Sequence, residues 1–232
     1  MPSDSRTGGE GKRHLVVQGM QDQTRETHAG DDYPRSMRYA DVRERRQIML
    51  YESHIAPLTA YADRLRACGG AMEVPYFDPL DGGIDARILF FLFEKPGPMT
   101  GQGAGSGFIS RNNDDPSAEA TFEFMRQAGI PRKLTVTWNV VPWWNGTRKV
   151  TGPELREGIG CVRELISLLP ELRAVVLVGA KAGRAEGQLR GSDLAVFASA
   201  HPSPLVRASH FERWKAIPTE WVKALHALQC SQ

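Results

Sequence analysis

Cysteine is scarce in this chain, and no two cysteines lie close together. There are three in 232 residues, Cys68, Cys161 and Cys230. An odd count without a C-x-x-C pair argues against a disulfide framework, a structural zinc site and a four-cysteine iron–sulfur site. Long apolar runs are absent too. Nothing approaches the ~20 residues that span a bilayer, and residues 1–13 carry Ser, Gly and charge in place of an apolar leader. The expectation is a soluble, cytoplasmic protein without a membrane partner. Neither sign of charge is in excess: 29 Lys and Arg stand against 27 Asp and Glu, a formal net charge of +2. No broad basic field announces a nucleic-acid partner, so any DNA contact has to come from local placement of Arg and Lys. The P-loop pattern is missing. The glycine-rich stretch 101–107 is out of register with G-x-G-x-x-G and stands past a strand rather than at a strand–helix turn, which argues against nicotinamide or flavin binding. No metal and no organic cofactor is expected.

What is present suits one globular domain. The apolar fraction is 41%, enough for a substantial core. Residues 1–36 hold few large apolar side chains and read as a tail that cannot offset its ordering entropy; the domain is expected over 37–232, with order beginning near Tyr39. A helical region carries Met49, Leu50, Ile55, Leu58, Tyr61, Ala62 and Leu65, interrupted by Pro57. Strand and helix then alternate. Strands are expected at 86–93, 134–138, 174–178 and 194–197. Helices are expected from Asp115-Pro116 to Gly129, from Thr151 to about Leu169, and from about Ala208 to Leu228. This order implies a single-domain three-layer α/β/α sandwich around a mostly parallel four-stranded sheet.

In such sheets the ligand crevice lies beyond the carboxyl ends of the strands. The four loops there are Glu94-Lys95-Pro96-Gly97-Pro98, Asn139-Val140-Val141-Pro142-Trp143, 179–184, and His201-Pro202-Ser203-Pro204. In the last, the prolines stiffen the turn, and Ser203 offers a hydroxyl and an amide that can hold a phosphate. Trp143 and Trp144 are either core or a shelf facing nucleic acid. Arg132, Lys133, Arg148, Lys149, Arg184 and Arg190 flank the loops as a candidate basic rim or as ordinary surface charge.

Four ordered segments resemble the uracil-DNA glycosylase superfamily. They are Phe93-Glu94-Lys95-Pro96-Gly97, Phe108-Ile109-Ser110-Arg111, Asn139-Val140-Val141-Pro142 and His201-Pro202-Ser203-Pro204-Leu205. The resemblance spans about residues 80 to 225. Its motif form is nearest the branch that carries an iron–sulfur cluster, whose cysteines this chain lacks. It implies a monomer that flips uracil out of single- or double-stranded DNA and hydrolyses its glycosidic bond. His201 would support the leaving base and Asn139 would read it, since an amide can match uracil's O4 acceptor and N3–H donor. Phe108 would stack on the base, and Lys95, Pro96 and Gly97 would line its pocket. Arg111 and Ser203 carry over as DNA contacts; Leu205, Val206 and Arg207 mark the place of a wedge into the vacated stack, or in Arg207 a phosphate contact or a solvated side chain.

Two positions depart from the best-known branch. Lys95 stands where an aspartate positions the attacking water, which leaves Glu94 as the nearest carboxylate, with Asn112, Asp114 and Asp115 as the other candidates. Gly97 stands where a tyrosine excludes thymine's methyl group. The alternatives are therefore a glycosylase for hypoxanthine or mismatched thymine, and a non-catalytic binder of uracil-containing or abasic DNA.

Overall fold

Short β-branched and aromatic runs alternate with amphipathic helices, and each helix has to bury its apolar stripe against the sheet those runs form. The computed structural model describes residues 30–69, 73–93, 95–101, 105–189 and 193–229. The chain divides into units Met1–Tyr33 and Pro34–Gln232, and every element named below belongs to the second. In order, α1 (Ala40–Met49) and α2 (Ala56–Gly69) lead to β1 (Tyr76–Phe77), β2 (Ile88–Phe93) and β3 (Phe108–Ile109). Then come α3 (Pro116–Gln127), β4 (Thr135–Asn139), α4 (Gly152–Ser167), β5 (Ala174–Val178), α5 (Glu186–Leu189) and β6 (Ala195–Ser199). The chain closes with α6 (Pro204–Ser209), α7 (Phe211–Lys215) and α8 (Ile217–Ala227).

The main sheet has the order β4-β2-β5-β6, and all three pairings are parallel. Alternate side chains on each strand serve opposite faces. Leu89, Phe91, Val136, Trp138, Val175 and Leu177 pack with Leu58 and Tyr61 of α2 and Val162 and Leu165 of α4. Ile88, Phe90, Ala174 and Val176 pack with Phe124 and Met125 of α3 and Trp221 of α8. Both faces are covered, which is why the strands read as continuous apolar runs in place of alternating ones.

The helix starts are local. Asp115 caps α3, its carboxylate accepting from the amides of Ser117 and Ala118, and Thr151 and Glu154 form a reciprocal capping box on α4. At Gly158 a Cβ would stand 2.7 Å from the Val140 carbonyl oxygen, so only glycine lets α4 come this close to the loop after β4.

Two expectations are corrected. The expected single last helix is three: His210 has a non-helical backbone, and Pro218, in the first turn of α8, lacks the N–H that would continue a helix from before. Order begins earlier than Tyr39, because Ser36 and Met37 are buried in a 3-10 turn and Met37 packs with Val42, Leu50 and Phe108. The rest of the expected tail, residues 1–29, lies outside the described residues. A small parallel pair, β1 with β3, was not foreseen, since two-residue strands leave no periodicity to read.

Candidate active site

The carboxyl ends of β2 and β4, the segment after β3 and the segment after β6 border one cavity of about 400 Å³. Each wall has a local cause. At the end of β2 the pairing with β4 shifts register between Phe91 and Phe93, a bulge of the kind that re-aims a chain beside a site. Lys95 follows. Its side chain is 2% exposed, and its Nζ donates to Glu154 Oε1 at 2.8 Å and to the carbonyl oxygen of the Asn145 side chain. Glu154 in turn accepts from Asn145 Nδ2 at 2.8 Å and, through its other oxygen, from the Thr151 amide at 2.9 Å. The Lys95 hydrogen bond first, and the Thr151 amide next, hold the Glu154 carboxyl down at about 2. Lys95 lines the cavity, whereas Glu154 and Asn145 do not.

Asn139 closes β4. It is 1% exposed, and among the described residues neither its Oδ1 nor its Nδ2 has a hydrogen-bond partner. It lines the cavity. A buried amide with both ends unsatisfied costs about 1–3 kcal/mol per group, and such an exception to the usual pairing rule marks a place kept for something other than stability.

Beyond β3, Ile109, Ser110 and Asn113 line the cavity. Ser110 donates to the buried carboxylate of Asp78, which also takes Arg132 Nη2 at 2.7 Å and Arg46 Nε at 3.3 Å. Burial would raise the Asp78 carboxyl, but Arg132 and Arg46 outweigh it and hold the group at about 2. Burial pushes the neighbouring Asp81 up, against Arg132. This buried network anchors the loop that forms the cavity wall.

The water-positioning candidates separate cleanly. Glu94 lies outside the described residues. Asn112 is fully buried and accepts from Arg132 at 2.6 Å. Asp114 is tied to Arg38 at 2.9 Å. Asp115 lines the cavity, and burial raises its carboxyl against the two amide hydrogen bonds. It is the one of the three described candidates that faces the cavity.

His201 follows β6 and is half-buried. Gly179, at the end of β5 with φ +88°, leaves room for it: a Cβ there would come within 3.0 Å of His201 Cβ and 3.4 Å of its Cδ2. The ring does not line the cavity, although Ser203, Pro204 and Leu205 do. Asn139 and His201 end strands three spacings apart, about 14 Å across the sheet. Ser203 caps α6 by accepting from the Val206 amide. Leu205 is 76% exposed, Val206 is half-buried, and the exposed Arg207 lies over the Trp214 ring at 5.0 Å.

Two expected contacts are not where the sequence put them. Phe108 is fully buried with Met37, Val42 and Leu50 and offers no face to the cavity; β3 alternates, so the neighbouring Ile109 takes that wall. Arg111 is 6% exposed. It reaches Met125 Sδ at 3.2 Å and lies over the Phe122 ring, away from any phosphate at the surface. Of the proposed basic rim, Arg148 lines the cavity, joined by Lys181 from outside that set; Arg132 belongs to the buried network, and Arg190 lies outside the described residues. Trp143 is buried, while Trp144 is half-buried and bridges to Glu73. Pro96 and Gly97 line the cavity as expected. Ser110, Asn113 and Thr121 were missed; small polar residues in a loop and a helix carry no sequence signal.

A family model described as the Uracil DNA glycosylase superfamily matches residues 81–227. No curated protein matches the chain. Among solved structures it is similar to the solution NMR structure of a Methanosarcina acetivorans protein provisionally named a uracil DNA glycosylase. The two are 19% identical with a TM-score of 0.43, and the match covers 61% of this chain and 92% of that one.

Proposed function

This chain belongs to the uracil DNA glycosylase superfamily, and on that footing we propose that it excises uracil from DNA by hydrolysing the N-glycosidic bond, leaving an abasic site. One observation carries the proposal: the buried amide of Asn139 on the cavity wall, without a hydrogen-bond partner among the described residues. An amide offers one donor and one acceptor side by side. Uracil presents the complementary O4 and N3–H, whereas cytosine reverses both and would leave buried groups unpaired, at about 1–3 kcal/mol each.

Asp115 takes the water-positioning role. A carboxyl raised by burial is a stronger base than a solvated one, and its cap hydrogen bonds fix its orientation. Leu205 enters the duplex where the base has left, offsetting part of the few kcal/mol that extrusion costs. Arg148 and Lys181, which line the cavity and are exposed, draw the DNA backbone to the mouth. Among the described residues no phenyl ring lines the cavity, so Ile109 supplies an apolar floor.

A second reading keeps the reaction and changes the base. Hypoxanthine presents the same acceptor and N–H edge as uracil, and Gly97 brings no side chain to the wall. Duplexes carrying a single uracil, hypoxanthine or mismatched thymine, treated with the protein and then with alkali, test both. Strand cleavage at uracil, abolished in Asn139→Asp, supports the first. Cleavage at hypoxanthine alone moves the assignment, and DNA binding without cleavage at any base overturns it in favour of a non-catalytic binder.

A further inference from the structure

The reaction needs a group to accept negative charge, and the residue expected to supply it, His201, does not line the cavity. Lys95 does. Its ammonium is buried, so its interactions act in a poorly screened medium, unlike those of Arg148 and Lys181 at the exposed rim. Glu154 and Asn145 accept two of its three N–H donors. Neither acceptor lines the cavity. The positive partner of the ion pair, Lys95, is therefore the one that lines the cavity.

We propose that Lys95 is a catalytic residue that takes up the charge of the departing base, and that Glu154 and Asn145 are the positioning residues that aim it. The inference rests on the glycosylase reading and adds a group to it. The C1′–N bond breaks heterolytically and its electron pair leaves with the base. Lys95 hydrogen-bonds the resulting anion, a charge-assisted contact of the strong kind. Water bonds to C1′, its proton passes to Asp115 and on to solvent, and the base takes a proton from solvent after release. A lysine tied to a carboxylate and an amide oxygen acts here as a donor, so no Schiff base forms and borohydride traps no covalent adduct.

The lysine's position also accounts for the departure at this motif. A cation cannot position water as an aspartate does, but it can stabilise the other charge that the reaction creates. The water task then falls to Asp115 at the start of α3.

Single-turnover excision of uracil and of 5-fluorouracil, whose anion is the better leaving group, tests the proposal. Lys95→Met is expected to lose about 100-fold on uracil, the size of effect seen when one preorganised donor is removed, and much less on 5-fluorouracil. Glu154→Gln is expected to shift the same ratio in the same direction by a smaller factor. The neutral pair Lys95→Met with Glu154→Gln guards against destabilisation of the single variant by a carboxylate that has lost its cation, and its ratio should match that of Lys95→Met. Equal losses on both bases, or a borohydride-trapped adduct, overturn the inference alone. Wild-type protein that releases neither base overturns the glycosylase reading and the inference with it.

Discussion

Gly179 and His201 meet at the ends of neighbouring strands, and the glycine's missing side chain is what seats the imidazole. With φ +88° and a would-be Cβ at 3.0 Å from His201 Cβ, Gly179→Ala brings both backbone strain of about 1–2 kcal/mol and a displaced ring. Excision is expected to fall along with the denaturation midpoint. Gly129 is the control: its φ is +64°, and nothing lies within 4 Å of its would-be Cβ. Gly129→Ala should lose stability and keep its rate.

Asn139 predicts an opposite pairing of effects. Replacing its amide by Leu removes two buried groups that have no partner among the described residues, each worth about 1–3 kcal/mol. Asn139→Leu should therefore melt at least about 2 °C higher while excision is abolished. Calorimetry alongside the cleavage assay decides; a lower Tm would show that the amide is satisfied within the fold.

Acid stability follows from two depressed carboxyls. Glu154 is lowered from 4.5 to about 2 and Asp78 from 3.8 to about 2. For a lowered folded-state value, the stabilisation is complete above the unfolded value and disappears as pH falls through the folded one. Unfolding free energy should drop between about pH 4.5 and about pH 2, and the drop should be shallower in Glu154→Gln. The same slope in variant and wild type would remove Glu154 from the account.

Leu205 is 76% exposed and borders the cavity. Leu205→Ala is expected to leave stability within about 0.5 kcal/mol and to slow excision from duplex DNA more than from single strands, where no stack has to be opened. Equal slowing on both substrates would argue that it only shapes the cavity.

Phe108 should behave as core. Phe108→Ala is expected to cost about 3–5 kcal/mol, whereas Phe108→Leu keeps excision near wild type. A stacking platform would instead lose about 1–3 kcal/mol of base binding on that change, visible as a raised KM at unchanged Tm.

Much of the fold was legible because its determinants are local. The apolar runs of β2, β4 and β5, the Asp115 cap and the Thr151–Glu154 box all announce themselves within a few residues. The ordered motifs also placed the cavity, at the ends of the strands, where Lys95, Gly97, Asn139 and Leu205 do gather. The tertiary structure decided what sequence spacing cannot encode: which side of a two-residue strand faces which cluster. That choice put Ile109 on the cavity and Phe108 in the core, and buried Arg111 under α3. It also brought Glu154, from a helix 59 residues further along the chain, to Lys95. Periodicity and capping act over one or two turns, whereas partnership across the sheet is settled only when the layers close.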